Sequence, residues 1–297
     1  MTSALCELVC RFSLLKLHVT VQLQQDTTLP DFKGSMLHGW FGHALKAVDE
    51  HTFHVCYGTH AEQQPKPYMI CPSVDHKTDW KKGELLDFDI TLFGDATKLV
   101  PHVLDAIKHA SENKQLGFGV KRTPFKVLSI ASYTPTGIKP GVYICSLADW
   151  INNEHDYVVD NREIALNFVT PVRIKHNGQI IKLPILNHAF WVNQILRRLL
   201  SLSRFWALDD RVLFDLLYQQ VEQQLAVSCD VDGACYFEDW QRYSLKQKEQ
   251  LPFGGLKGQL SFYGELGTLI PLFKIGELLH IGGKTTFGLG KYQLIAD

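Results

Sequence analysis

Residues Tyr263–Ala296 read YGELGTLIPLFKIGELLHIGGKTTFGLGKYQLIA, and Phe93–Ile130, far earlier in the chain, read FGDATKLVPHVLDAIKHASENKQLGFGVKRTPFKVLSI. Both run aromatic, Gly, acid, a short gap, a Leu-x-Pro start, an amphipathic helix, and then a Gly-x-Gly beside basic residues that leads into a strand. Two copies of so long an order, separated by more than half the chain, imply two versions of one domain rather than a solenoid of short repeats.

Working outward, residues 6–24 read as a long apolar-rich strand region, 34–48 as a helix, 84–93 as a strand, 96–112 as a second helix and 117–131 as a closing strand. That order is close to β-α-β-β-α-β. The second half repeats it with a strand at 163–174, helices at 187–206 and 209–226, strands at 234–244 and 256–263, a helix at 268–279 and a final strand. In the helix from Asn187, Trp191, Ile195, Leu199, Leu202 and Trp206 make an apolar stripe, while Arg197 and Arg204, seven apart, share another face. The expected fold is therefore α+β, two tandem ferredoxin-like (RRM-like) βαββαβ domains over residues 1–145 and 146–297. A linker is expected near 134–160, where TPTGIKPG gives a turn and WINNEHDYVVDN is polar and acidic, and a hairpin from Phe125 to Cys145 extends the first sheet.

Composition sets the outer limits. The 297 residues are 45% hydrophobic, which suits two packed cores. There is no 18-residue apolar run, and MTSALCELVCRF carries an acid where a signal peptide wants an unbroken apolar stretch, so a soluble, cytoplasmic protein without a membrane partner is expected. Seven scattered cysteines suit reduced thiols better than a disulfide framework. A net charge of −1 gives no overall basic excess, so any polyanion ligand must be held by local clusters. Such clusters exist: Arg173, Lys175, His176 and Lys182 lie together, Arg197, Arg198 and Arg204 share a helix, and Lys284 and Lys291 belong to the glycine loop.

That loop, HIGGKTTFGLGK, tests poorly against the common phosphate motifs. A P-loop needs a glycine five residues before its Gly-Lys pair, and those positions hold Leu278 and Thr285. A dinucleotide fingerprint needs a third glycine where Gln293 stands, and a following helix.

Four segments resemble a known family. LPDFKGSMLHGWFGHALKAV, then NFVTPVRIK followed by a helix with paired arginines, then DWQRYSLKQKEQLPFGGLKGQLSFYGEL, and finally ELLHIGGKTTFGLGKY appear in the order seen in CRISPR precursor-RNA-processing endoribonucleases of the repeat-associated RNA-binding (RAMP) superfamily. The chain is similar to that family over nearly its whole length. The resemblance implies cleavage of CRISPR repeat RNA without a metal ion or cofactor, by attack of the substrate's own 2′-hydroxyl to leave a 2′,3′-cyclic phosphate and a 5′-hydroxyl. It also implies CRISPR effector or adaptation proteins as further partners, or a non-catalytic RNA-binding subunit as the alternative. In the family the glycine-rich loop lies against RNA, which points to Gly282, Gly283, Lys284, Thr285, Gly288 and Gly290, with Arg173, Arg197 and Arg204 nearby.

Cleavage of this kind needs one group to deprotonate the 2′-hydroxyl, one to protonate the leaving 5′-oxygen, and charge to stabilise the phosphorane. Family members usually use a histidine with a lysine or tyrosine, the histidine lying in or soon after the first helix. With Leu37, Phe41, Leu45 and Val48 as the core stripe of that helix, His43 and Lys46 project away from the core about 60° apart and can reach one phosphate together. His38, which stands where the family often has an arginine, lies on the flank of the stripe. His54 and His51 follow the helix. A zinc site from His51, His54, Cys56, His60 and Cys71 lacks the paired spacing such sites prefer.

Overall fold

The computed structural model describes residues 1–58, 64–152, 163–239, 241–244 and 249–296. The chain forms two compact units, one of Phe12–Ser146 with Phe205–Ala207, the other of Met1–Arg11, Leu147–Arg204 and Leu208–Asp297. Each contains an antiparallel sheet with helices, so the class is α+β.

The N-terminal residues depart from the expected strand over 6–24 and from a first domain that starts at residue 1. Ser3–Arg11 is a helix, α1, whose buried residues Ala4, Leu5, Leu8 and Val9 recur at three- and four-residue spacing. It belongs to the second unit, where the Ala4 amide donates to Gln220 Oε1 at 3.1 Å. Only from Ser13 does the burial alternate, and Ser13–Leu23 is strand β1.

In the first unit β1 is followed by α2 (Gly34–Val48), α3 (Glu50–Tyr57), β2 (Tyr68–Pro72), β3 (Leu85–Phe93), α4 (Val100–Glu112), β4 (Phe125–Thr134) and β5 (Gly137–Pro140). The sheet order is β2-β3-β1-β4-β5, all antiparallel. Residues Leu15, Leu17, Val19 and Val21 of β1 pack in one core with Leu37, Trp40, Phe41 and Leu45 of α2 and Val103 and Ile107 of α4. Two boundaries differ from expectation. The helix expected at 96–112 opens with a 3-10 turn, Gly94–Leu99, and becomes α-helical where Pro101 fits the first turn. The strand expected at 117–131 starts at Phe125, because 117–123 is a tight reversal in which the Phe118 and Thr123 amides exchange hydrogen bonds of 2.9 and 2.8 Å.

In the second unit, α5 (Leu147–Asn152) occupies part of the expected linker, and residues 153–160 of that stretch lie outside the described residues. Then come β6 (Glu163–Val172), α6 (His188–Trp206), α7 (Arg211–Gln224), β7 (Cys229–Glu238), β8 (Gly255–Gly264), α8 (Ile270–Leu279) and β9 (Tyr292–Ala296). The sheet order is β7-β8-β6-β9. Counting each sheet's strands in chain order, both units read second-third-first-fourth, so the repeat in sequence is a repeat in topology. The strand expected at 234–244 is two elements: β7 pairs with β8, while Gln241–Ser244 pairs with Glu249–Pro252 in a separate ribbon. Among the described residues, no helix is long and apolar enough to cross a membrane.

Candidate nucleic-acid interface

Helix α2 carries the first set of candidates. Its buried positions are Leu37, Trp40, Phe41, Ala44 and Leu45, and Val48, assigned above to the stripe, is 36% exposed at the helix end. His43 and Lys46 are exposed on the opposite side. The Lys46 ammonium lies 5.6 Å from the centroid of the Phe53 ring on α3, an aromatic rest that holds its stem while the charge stays in water. His54 is exposed, with Nε2 3.6 Å from Glu50 Oε1 one turn earlier, and His51 is exposed beside it.

His38 has a built surrounding that the sequence did not reveal. It is half-buried, with its ring centroid 5.0 Å from that of Tyr57 and 6.0 Å from that of Tyr68, the latter nearly parallel. The Tyr57 hydroxyl donates to the His38 carbonyl at 2.6 Å. The Tyr57 ring reaches the helix because residue 42 is glycine: a Cβ there would stand 2.8 Å from Tyr57 Cε1. Burial holds both phenols well above the ordinary tyrosine range, so both stay neutral, Tyr57 as a donor and the two rings as packing surfaces.

The proposed zinc ligands are not assembled. Cys56 and Cys71 are buried, His51 and His54 exposed, and His60 lies outside the described residues. Burial pushes the Cys56 thiol up to about 12, the reverse of what a metal-binding thiolate needs. Among the described residues no group of three or more His, Cys, Asp or Glu could hold a metal ion.

The second set gathers in the second unit, where β6 ends and the glycine loop begins. An open cleft of about 400 Å³ is lined by Arg173, Lys175, Arg197, Arg198 and Lys284, with Gly282, Gly283, Gln194 and Ser201. Among the described residues no carboxylate lines it, although the charge of Asp239 acts on Arg173 and favours its protonated form. Five cations from three chain segments repel one another, and a bound anion relieves that repulsion. Arg173 Nη1 donates to the Gly254 carbonyl at 2.9 Å, and burial lowers its guanidinium below the ordinary arginine value. The guanidinium of Arg198 is buried deeper, its Nε donates to the Leu279 carbonyl at 3.2 Å, and desolvation pushes it down to about 10. It stays protonated at neutral pH.

Not every expected residue reaches this cleft. Arg197 lines it, but Arg204 lies elsewhere on α6 with Nε 3.6 Å from Asp209 Oδ1, and the Lys182 ammonium sits over the Phe237 ring at 5.6 Å. The seven-residue spacing selects Arg197 with Arg204 and leaves Arg198 aside, although the cleft is lined by Arg197 and Arg198. A buried arginine among leucines is the signal that could have found it.

The loop's glycines divide by role. Gly282, Gly288 and Gly290 all have left-handed backbone, with φ of 80°, 85° and 77°. A Cβ on Gly290 would stand 2.0 Å from the Ile281 carbonyl oxygen, and one on Gly282 2.5 Å from that of Arg173. The Gly290 amide donates to Pro171 O at 3.0 Å, Gly283 to Arg173 O at 2.7 Å and Gly288 to Thr285 O at 2.9 Å. The Thr170 hydroxyl donates to Gly288 O at 2.9 Å, and Thr285 is buried. Much of the bare backbone thus binds the loop to β6. Gly283 and Lys284 are exposed, and Lys284 has a φ of 65° that a side-chain-bearing residue seldom adopts.

Comparison with known proteins follows this division. Residues 166–292 match the family described as CRISPR-associated endoribonuclease Cas6, and residues 12–57 and 50–155 match a family described as an N-terminal domain. An uncharacterized protein of Archaeoglobus fulgidus is 23% identical over 301 residues, covering 90% of this chain and 92% of its own. Among solved structures, a Cas6 product complex superposes with a TM-score of 0.61 at 16% identity, over 95% of this chain and 100% of that one. Thermus thermophilus Cas6 gives 0.59 at 13% identity over 96% and 99%. A partial Cas6-RT-Cas1-Cas2 complex gives 0.61 at 14% identity over 96% of this chain and 46% of the longer one. At these identities the structural likeness speaks for the fold.

Proposed function

Because the chain belongs to the Cas6 family of CRISPR RNA-processing endoribonucleases, we propose that it cuts repeat RNA in precursor transcripts with its own side chains and without a metal ion. Each unit is then a ferredoxin-like domain, a reading supported by the shared second-third-first-fourth strand order. The observation that carries the proposal is the cationic cleft at the glycine loop, inside the segment that matches the family. It takes RNA phosphates, with Lys284, Arg173 and Arg197 as the contacts and Arg198 as a buried charge behind them.

In the reaction a base takes the proton of the 2′-hydroxyl, O2′ attacks the neighbouring phosphorus, the bond to the 5′-oxygen breaks, and an acid returns a proton to that oxygen. The products are a 2′,3′-cyclic phosphate and a 5′-hydroxyl. His43 serves as general acid or base, and Lys46 stabilises the phosphorane. A second assignment is favoured by one observation: the rings of Tyr57 and Tyr68 hold His38 in place, as a catalytic imidazole must be held. His54 is the remaining candidate. CRISPR effector or adaptation proteins are proposed as further partners, a reading supported by the fold likeness to a chain of a Cas6-RT-Cas1-Cas2 complex.

Repeat transcript incubated with the purified protein in excess EDTA tests the proposal. Cleavage that leaves a cyclic phosphate is expected. Strict dependence on added Mg²⁺, or a 3′-hydroxyl product, would indicate a water nucleophile and a metal site instead.

A further inference from the structure

The first copy of the repeated segment also ends in a Gly-x-Gly, and nothing described so far uses it. Residues Gly119–Arg122 form the tip of the reversal before β4. Val120 is 97% exposed, a hydrophobic side chain left almost wholly in water, and Lys121 and Arg122 beside it are exposed. Among the described residues neither cation takes part in an ion pair.

The base of this tip is rigid. Phe118 is fully buried, stacked on Phe125 with ring centroids 4.3 Å apart and 5.0 Å from the centroid of Trp40 on α2. Trp40 Nε1 donates to Leu116 O at 2.9 Å, and the buried Thr123 hydroxyl donates to Thr27 Oγ1 at 2.7 Å. The Arg122 amide donates to Gly119 O at 3.1 Å, and a Cβ on Gly117 would strike the Arg122 carbonyl oxygen at 2.2 Å. Gly119 is left-handed at φ 68°, and Arg122, which is not a glycine, is left-handed at φ 49°. Such strain is maintained only by its surroundings, and it is commonest at sites that bind.

The tip adjoins the helix proposed to cut RNA. A Cβ on Gly119 would meet Met36 Sδ at 3.7 Å, and Met36 and His43, seven residues apart, lie on nearly one face of α2. Two cations and one apolar side chain, held on an anchored hairpin and free of acidic partners, suit a polyanion with exposed flat bases.

We propose that Gly119–Arg122 is a second RNA-binding element, in which Lys121 and Arg122 contact backbone phosphates and Val120 covers the face of an unpaired base. This rests on the endoribonuclease reading. The probe is a fluorescein-labelled transcript of one CRISPR repeat from the host's arrays, with affinity measured by anisotropy across a salt series. Two phosphate contacts on single-stranded RNA contribute a slope of about 1.4, so the Lys121→Ala/Arg122→Ala variant should have a salt dependence shallower by that amount and bind roughly 10-fold more weakly at about 0.15 M salt. Val120→Ser should weaken binding with the slope unchanged. Both variants should melt with wild-type protein, since the changes lie outside the core.

Wild-type affinity and slope in the double variant overturn the proposal, including the case in which the tip docks a protein instead. Lys284→Ala in the same series separates the two readings: if it weakens binding while the tip variants do not, the cleft stands and the tip falls. If wild-type protein fails to bind the transcript, both fall.

Discussion

Replacing Gly290 by alanine tests what the glycine loop is for. The residue has φ 77°, a region that costs an L-residue about 1–2 kcal/mol, and the new Cβ would lie 2.0 Å from the Ile281 carbonyl oxygen, closer than any real contact. The loop must therefore move. Moving it breaks the Gly290 amide's bond to Pro171 O and the Ile281 amide's bond to Gly290 O, of 3.0 and 3.1 Å, each worth about 1 kcal/mol net. The sum is about 3–4 kcal/mol, or a fall in Tm of roughly 6–15 °C for a unit of this size. Calorimetry is the assay, because it resolves two units that melt separately. Gly283→Ala is the control: its Cβ would sit 3.6 Å from Arg173 O, an ordinary contact, so stability should change by less than about 0.5 kcal/mol. A Gly290→Ala protein that melts within about 2 °C of wild type would refute the argument that these glycines exist to let the loop bind β6.

Two further predictions concern histidines. His43→Ala should lower single-turnover cleavage by about 10²–10⁴-fold with little loss of RNA affinity, and if it cuts at the wild-type rate while His38→Ala is inactive, the aromatic seat has identified the catalytic imidazole. On β1, His18 Nδ1 lies 2.8 Å from Asp89 Oδ1, with Asp87, Lys16 and Tyr133 also facing the ring. The bond to Asp89 raises the folded-state pKa above the ordinary value, against the opposing effects of burial and Lys16. Stability from this contact is therefore full below about pH 6.5 and is lost as pH rises through the raised value, so His18→Gln should cost more in melting temperature at pH 5.5 than at pH 9. Equal costs at the two pH values would count against it.

Local periodicity made much of the fold legible. Helix α2 runs over the residues that the spacing of Leu37, Phe41 and Leu45 indicates, and β3 follows the alternation in LLDFDITLF. Where apolar residues crowd, as in ALCELVCRFSLLKL, a helix and a strand share one hydrophobic stretch, and the pattern does not mark the break at Phe12. The candidate sites were less legible because they depend on partners distant in the chain. Tyr57 and Tyr68 reach His38 from two separate elements, and Arg198 turns inward beside Arg197 only because α8 ends beneath it at Leu279. A seven-residue spacing grouped Arg197 with Arg204, whereas the cleft uses the consecutive pair Arg197 and Arg198.

A net charge of −1 and a cationic cleft are compatible once the range of the field is considered. At physiological salt the Debye length is about 8 Å, so charges farther from a bound phosphate than that contribute little, and the chain's acids matter chiefly where they stand near the cleft. Several acids elsewhere are paired: Asp89 and Asp87 with His18 and Lys16, Asp26 with Lys81, Asp75 with the buried Lys33, and Asp209 with Arg204. Pairing shortens those acids' reach, while Arg173, Lys175, Arg197, Arg198 and Lys284 concentrate positive charge along the cleft. On the proposed reading, RNA is attracted at short range by a surface whose sign differs from that of the molecule as a whole, and affinity for it should fall steeply with salt although the isoelectric point is near neutrality.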